Sequence, residues 1–180
     1  AFTDSSAGFG LVIHQEKNPK KHITIDSIRE FRELTEIKIQ SSGVQRPKKV
    51  GSILFVSKQK PVSTQVRKYL TEICKIHLDY MCKEFAERLG SKVNKITLRD
   101  TRSRWGSCSS DAKLMFSWRL VMAPEDVLAY VAAHEVAHLK HMNHSKDFWE
   151  TVEYLFGPYK KERAWLKQNG STLHRYKFES

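Results

Sequence analysis

The longest regular pattern of apolar positions runs through residues 61–89. Apolar side chains recur there at intervals of three and four residues, which places them on one face of a helix. Pro61 stands where a helix favours proline, and Gly90 is typical of a residue that ends one. The pattern therefore predicts a single long helix over residues 61–89. Its apolar positions are Val66, Tyr69, Leu70, Ile73, Ile76, Tyr80 and Phe85.

Residues 1–60 contain short runs of β-branched and other apolar side chains that favour strands. The runs cover residues 11–13, 23–25, 37–39 and 53–56. Turn-forming residues at 41–43 and 46–49 follow the third run. A helix over residues 28–34 is equally compatible with the pattern, and the first twenty residues could form a tail. We expect a β-rich N-terminal extension over residues 1–60, followed by a second domain over residues 61–180.

Two further strands are predicted after the long helix. They cover residues 93–98 and 114–120, and the second alternates Met115 and Ser117 with larger side chains. A glycine- and serine-rich connection at residues 104–111 joins them.

Three helices are predicted in the last third of the chain. Pro124, followed by two acidic residues, begins a helix that reaches about His141. Ser145 caps a second helix, which Gly157 ends. The third covers residues 159–168. The order of a β-rich segment, a long helix, two strands and three helices predicts the α+β class.

The composition predicts a cytoplasmic protein without a membrane partner. Every apolar run is only a few residues long, far short of a transmembrane span. The first ten residues lack the features of a secretion signal. The three cysteines lack the close spacing of metal-binding pairs, which favours free thiols in a reducing compartment.

The positive charge is distributed unevenly. The net charge is +11, of which residues 1–60 contribute +5, residues 61–120 contribute +6, and residues 121–180 contribute nothing. Such a field could attract nucleic acid or an acidic partner, although a generally basic surface explains it equally well. We expect any nucleic-acid contact to lie within residues 1–120.

The helix that begins at Pro124 carries the motif His134-Glu135-Val136-Ala137-His138. Histidines four residues apart lie on one face of a helix and can share one zinc ion. Glu135 can reach a zinc-bound water without itself binding the metal, as a general base must. Coincidence is the alternative, but an otherwise apolar helix does not accommodate these polar side chains without partners.

A catalytic zinc site requires a third protein ligand, and the sequence offers several. His141 shares a helix face with the first pair, but a rise of 1.5 Å per residue places it about 10.5 Å from His134 along a straight helix. His144 has the ligand spacing of metzincins, in which a glycine stands where this chain has His141. We therefore expect His144 to complete the site, with Asn143 in the left-handed conformation that the turn needs. The acidic alternatives are Glu150, Glu153 and Glu162.

Taken together, the motifs resemble those of the YgjP-like metallopeptidases, which are relatives of the SprT-like zincins. The matching strings are TRSRWGSCSS at residues 101–110, FSWRL at 116–120, AP at 123–124, HEVAHL at 134–139, NHS at 143–145 and FW at 148–149. The resemblance covers about residues 61–176.

This resemblance implies a zincin-like fold of the α+β class, with a small mixed sheet and an active-site helix that carries the motif. It also implies zinc on His134, His138 and His144, with Glu135 as the base. By analogy with zincins, the strand at residues 116–120 would border the cleft and pair with an extended substrate. SprT-like relatives act on DNA-bound proteins. Carrying that substrate over to this chain would be an analogy at the level of the fold only.

Other residues have both a functional and a structural interpretation. Arg102, Arg104 and Trp105 could contact nucleic acid, although structural roles are more common. Cys108 has no sequence feature that would make it reactive. The candidates to stabilise an oxyanion are Arg119, Tyr159 and Arg163.

Two functions are compatible with these observations. The first is a zinc metallopeptidase that hydrolyses peptide bonds of a protein or peptide substrate. The second is a nucleic-acid-associated zinc-binding protein without significant protease activity. Glu135 favours the first, because a structural site gains nothing from an unliganded carboxylate. Structural zinc sites also usually have four protein ligands, often cysteines.

Overall fold

The computed structural model describes residues 10–14, 22–26, 35–40, 45–51 and 53–178. Two compact units are present: one comprises the described residues up to Tyr69 together with 172–178, and the other is Leu70–Ser171. Among the helices of these segments, none combines the length and apolar character needed to cross a bilayer. The predicted division between residues 60 and 61 stays a prediction.

The first unit contains a five-stranded sheet. Its strands are β1 (Gly10–His14), β2 (His22–Asp26), β3 (Thr35–Gln40), β4 (Lys48–Val50) and β5 (Ile53–Ser57). They are arranged in the order β1-β2-β3-β5-β4, with β3 parallel to β5 and the other neighbours antiparallel. The β-rich prediction is therefore confirmed for these segments.

The prediction of a turn at residues 46–49 is confirmed only at its start, because Arg46 lies in a bend but β4 begins at Lys48. Gly51, with a φ of +58°, makes the tight turn that pairs β4 with β5. The predicted helix at residues 28–34 and the turn at 41–43 lie outside the described residues, as does most of the predicted tail.

The long predicted helix is present as α1 (Val62–Arg88), and Gly90 follows it with a φ of +59°. Its buried face differs in part from the predicted one. Ile76 and Tyr80 are 64% and 71% exposed, whereas Cys74 and Cys82 are fully buried. Burial raises the pKa of the Cys74 thiol to about 12. Both cysteines thus act as small apolar core residues.

The second unit contains a small mixed sheet. It consists of β6 (Lys95–Arg99), β7 (Gly106–Cys108) and β8 (Lys113–Ser117) in the order β6-β8-β7. β6 is parallel to β8, and β7 is antiparallel to it. β7 lies inside the segment that was predicted to be a connection, so that prediction was incomplete.

The strand predicted at residues 114–120 ends early. β8 stops at Ser117, and a buried 3-10 helix (Trp118–Met122) follows. Because β8 has a paired neighbour on both sides, its backbone has no edge left for a substrate. The expectation that this strand pairs with the substrate is therefore wrong. The edge strands of this sheet are β6 and β7.

The predicted helices appear as α2 (Glu125–Ala137), α3 (Lys146–Phe156) and α4 (Lys160–Asn169), followed by a 3-10 helix (Gly170–His174). The predictions for α3 are confirmed: the Phe148 N–H donates to Ser145 Oγ over 3.3 Å, and Gly157 ends the helix with a φ of +99°. α2 ends four residues earlier than expected. The α+β prediction, with a small mixed sheet and a helix that carries the motif, is confirmed.

Arg88 fixes the C-terminal end of α3 to the end of α1. Its guanidinium donates to the Leu155 carbonyl over 2.6 Å and also to the Tyr154 carbonyl, and it lies 5.0 Å from the Tyr154 ring. The last carbonyls of a helix have no partner within the helix, and a cation is favourable there. This contact therefore stabilises α3, whose first turn lies beside the His-Glu-x-x-His motif.

We expect Arg88→Met to lower the free energy of unfolding by about 1–3 kcal/mol, because it removes the donors of two helix-end carbonyls, one of them partly buried. Lys83→Met is the matched control on the same helix. Lys83 forms only an exposed 3.9 Å ion pair with Glu87, so its loss should cost about 0–0.5 kcal/mol. Urea unfolding of both variants measures the difference, and equal losses would contradict the role given to Arg88.

Candidate metal centre

Three histidines converge near the end of α2. His134 lies on the helix, His138 is its C-cap, and His144 lies just before α3. The Nε2 atoms of His134 and His144 are 3.2 Å apart, and the possible ligand atoms of all three lie within 4.8 Å of one another. Two nitrogens on one tetrahedral zinc, each at about 2.0–2.1 Å, would be about 3.3 Å apart. The structure therefore brings together the three predicted histidines in a spacing that suits a metal.

The turn that brings His144 to the group begins at the helix end. The N–H groups of Lys140 and His141 both donate to the Ala137 carbonyl over 3.1 Å, closing the last turn. Asn143 does not have a positive φ, so the left-handed conformation predicted for it is wrong. Because α2 already ends at Ala137, the chain has several more residues in which to reverse direction. His141 is not a member of the histidine group.

Hydrogen bonding and burial favour the neutral, metal-binding form of these imidazoles. His138 Nδ1 lies 2.9 Å from the His141 carbonyl, and donating to it leaves the Nε2 lone pair free. Burial, followed by the neighbouring charges of His138 and His144, lowers the pKa of His134 to about 3. Burial also lowers the pKa of His138. Neutral imidazole is the form that binds metals.

Aromatic rings from the first turn of α3 surround the histidines. Phe148 is fully buried, and its ring centroid lies 4.9, 4.5 and 4.8 Å from those of His134, His138 and His144. Trp149 stacks on His144 at 5.7 Å. The Ser145 cap sets the start of this turn, so a local helix signal positions the walls of the site.

A second group of side chains lies behind Trp149 and comes mainly from α4. Tyr159 stacks on Trp149 at 5.0 Å and on Tyr130 of α2 at 5.9 Å. The guanidinium carbon of Arg163 lies 4.6 Å from the centre of the Trp149 ring. Two of the three oxyanion candidates, Tyr159 and Arg163, are therefore near the histidines.

The third candidate, Arg119, has a structural role instead. It is only 8% exposed, and its guanidinium forms two hydrogen bonds with the Asp100 carboxylate, at 2.7 and 3.0 Å. This pair holds the end of β6 to the 3-10 helix that follows β8.

Glu135 is buried against the backbone of β7. It is 5% exposed, and a Cβ added to Gly106 would lie 2.5 Å from its Oε1 atom. Only glycine permits this approach. Burial raises the pKa of Glu135 to about 8, and the positive charge of Arg104 opposes the shift. Gly106 was missed by sequence reasoning, although its place between a bulky tryptophan and two small residues could have indicated a close contact.

The remaining predicted candidates lie outside the histidine group. Glu150 and Glu153 are exposed and Glu162 is buried, and none of them joins it. Burial raises the pKa of Cys108 to about 11, which agrees with the expectation that its thiol is unreactive. Trp105 packs against Gly170, where an added Cβ would lie 2.9 Å from its indole. This contact favours the structural interpretation of Trp105.

The family profile described as YgjP-like, metallopeptidase domain, matches residues 14–169. The chain belongs to the YgjP-like family. The match begins well before residue 61, where the resemblance noted in the sequence begins. Membership in a metallopeptidase family implies a metal ion, and the three histidines form a group that could hold one.

The YgjP-like chain is also similar to curated proteins named deoxyhypusine synthase-like protein. The one from Coxiella burnetii is 39% identical over 140 residues, which is 74% of this chain and 33% of the relative. The one from Chlorobaculum parvum is 63% identical over 41 residues, or 23% of this chain and 12% of the relative. The chain thus spans about a third of the Coxiella relative's length.

Among solved structures, the chain is similar to the metallopeptidase zymogen of Pyrococcus abyssi abylysin. The TM-score is 0.45 at 19% sequence identity, and the match covers 52% of this chain and 93% of that one.

The buried carboxyl of Glu135 should make the stability of the metal-free protein depend on pH. Between the usual value of 4.5 and about 8, the folded chain keeps a proton that the unfolded chain has lost. Stability should therefore fall as pH rises through this window, by at most about 1.4 kcal/mol per pH unit. Glu135→Gln lacks this contribution. Urea unfolding in the presence of a chelator should show its stability rising relative to the wild type from pH 5 to pH 8, and a constant difference would contradict the burial effect.

Proposed function

We propose that the chain is a zinc peptidase in which His134, His138 and His144 hold the metal and Glu135 is the general base. One observation carries the proposal. Three imidazoles with available lone pairs converge, and a buried carboxyl lies next to the first of them without belonging to the ligand group. This division between ligands and base is what metal-assisted hydrolysis requires.

The donor set supports zinc over magnesium or calcium. Three nitrogen ligands without a carboxylate do not suit magnesium or calcium, which prefer oxygen. When bound, zinc lowers the pKa of a coordinated water to about 7 and polarises a carbonyl.

Glu135 is suited to proton transfer near neutral pH. Its carboxylate would accept a proton from the attacking water and pass it to the amine that leaves. A pKa of about 8 keeps both protonation states accessible, although a bound cation would lower that value. The contact with Gly106 restricts where the carboxyl can move, so the proton acceptor stays in one position.

The outer edge of β7 is suited to an extended peptide substrate. The Ser109 N–H donates to the Lys113 carbonyl over 3.0 Å, so Ser107, two residues earlier, also directs its backbone toward β8. Gly106 and Cys108 then direct theirs to the outer edge, where no described strand pairs with them. A substrate strand that binds there would pass beside Glu135, because Gly106 contacts that carboxyl.

The cellular setting of the protein is part of the same proposal. The three free cysteines support a cytoplasmic location. A nucleic-acid partner bound through basic residues of 1–120 stays a prediction, supported by the charge of that segment.

The alternative of a binding protein without protease activity is tested by measuring hydrolysis of an unfolded protein with and without single-stranded DNA.

The general-base role predicts that Glu135→Gln keeps one zinc per chain but loses at least about a hundredfold in hydrolysis, because general-base catalysis contributes about 10²–10⁴-fold. Metal analysis and peptide hydrolysis on the same preparation measure both quantities. Undiminished hydrolysis by the zinc-loaded variant would contradict the mechanism.

The ligand assignment predicts that His144→Ala strips or greatly weakens zinc binding, whereas His141→Ala largely retains it. His144 supplies a nitrogen to the group, while His141 contributes a backbone carbonyl that the substitution keeps. Competition with a chromogenic chelator measures both affinities. The reverse ranking would overturn the assignment.

A further inference from the structure

We propose that Arg104 and Arg163 select substrates that carry carboxylate side chains close to the scissile bond. The inference rests on the proposed peptidase function and adds a substrate class to it. Arg104 lies two residues before Gly106, which touches the general base, and Arg163 lies against Trp149 in the aromatic wall of the histidine group.

Arg163 is held against the site by an aromatic ring. Its guanidinium carbon lies 4.6 Å from the centre of Trp149, whose ring stacks on His144 at 5.7 Å. Tyr159, which immediately precedes α4, stacks on the same indole at 5.0 Å, and its carbonyl accepts the Arg163 N–H over 3.0 Å. A guanidinium that rests on an aromatic face keeps its N–H groups free for an anion.

Arg104 is placed by the loop that leads into β7. Its carbonyl accepts a hydrogen bond from Thr101 Oγ1 over 2.9 Å, which fixes the backbone two residues before Gly106. Gly106 contacts the carboxyl of Glu135, so Arg104 lies two residues along the chain from the point where β7 meets the general base. An extended substrate on the edge of β7 would therefore pass Arg104 within about two residues of the bond that is cut, at 3.3 Å per residue.

Both guanidinium groups are exposed and, within the described residues, neither forms an ion pair. The two arginines with structural roles differ in this respect. Arg88 donates to two helix carbonyls, and Arg119 is bonded to Asp100. Arg104 and Arg163 thus keep their donors for a molecule that enters the site.

Carboxylate is the group that fits these donors in a peptide substrate. Guanidinium pairs with it through two parallel hydrogen bonds, which a neutral amide cannot match. Glu135 of α2 and Glu162 of α4 are buried, and within the described residues neither forms a salt bridge with these arginines. A substrate with acidic side chains would therefore add the missing negative charge.

The test uses pairs of fluorogenic peptides of the same sequence. One peptide of each pair has Glu, and the other has Gln, at the two positions on each side of the scissile bond. The zinc-loaded full chain should cleave the Glu peptides with a kcat/KM about tenfold higher, through KM, which is the scale of one or two exposed charge-assisted pairs. Arg104→Met and Arg163→Met should each reduce the preference to about threefold, and the double variant should abolish it. Arg104→Lys and Arg163→Lys should keep part of it.

Two matched controls separate these arginines from the general basic surface. Arg102, which is exposed and two residues from Arg104, and Lys160, which is exposed at the start of α4, should keep the full preference when changed to Met. An equal loss in the controls would overturn the proposal. A loss of kcat that is the same for every peptide would also overturn it, because it would identify the arginines as oxyanion-stabilising groups.

Binding of the same peptides to Glu135→Gln, measured by fluorescence anisotropy, distinguishes failure of this inference from failure of the peptidase proposal. Acid preference in binding without hydrolysis by the wild type would support the role of the arginines and contradict the peptidase function. Hydrolysis with equal kcat/KM for Glu and Gln peptides would support the peptidase function and contradict the role of the arginines. If single-stranded DNA bound through both arginines and acidic peptides showed no preference, the substrate class would be wrong.

Discussion

The site depends on one constraint: its ionisable side chains lie on a helix that is buried on almost every side. α2 buries Val131, Ala132 and Val136 in the core, and Glu135 lies among them at 5% exposure. A charged carboxylate in such a position is costly unless a partner compensates for it. The fold keeps Glu135 at the backbone of β7 and sets the three histidines beside one another. A cation bound by those histidines would compensate for the charge of the buried carboxylate.

The parts of the site that were predictable from sequence depend on local chemistry. Histidines four residues apart on a helix lie on one face whatever surrounds them, and a serine before an apolar turn caps a helix in most contexts. The choice of His144 over His141 followed from the rise of a helix and agrees with the arrangement of the group. These signals are contained in a few neighbouring residues, so no tertiary information was needed.

The parts that were missed depend on contacts between distant residues. β7 has only three residues, two of them small, and becomes a strand because β8 pairs with it. Cys74 and Cys82 join the core because burial, rather than polarity, decides their role. Asn143 was given a left-handed conformation because α2 was expected to reach His141, and the earlier helix end removed the need for it. Propensity alone cannot foresee such tertiary effects.

In the proposed mechanism, the same short strand that was missed would connect catalysis with substrate binding. Gly106 lacks a side chain, so the β7 backbone can touch the carboxyl of Glu135, while its outward-directed groups are available to an extended peptide. Any larger residue at this position would push the Glu135 side chain away from β7, because its Cβ would lie only 2.5 Å from Oε1. Since proton transfer requires hydrogen-bond distances, that displacement would weaken the proposed hydrolysis even with all three histidines in place. In that mechanism, the spacing between base and substrate would therefore be set by a glycine outside the His-Glu-x-x-His motif.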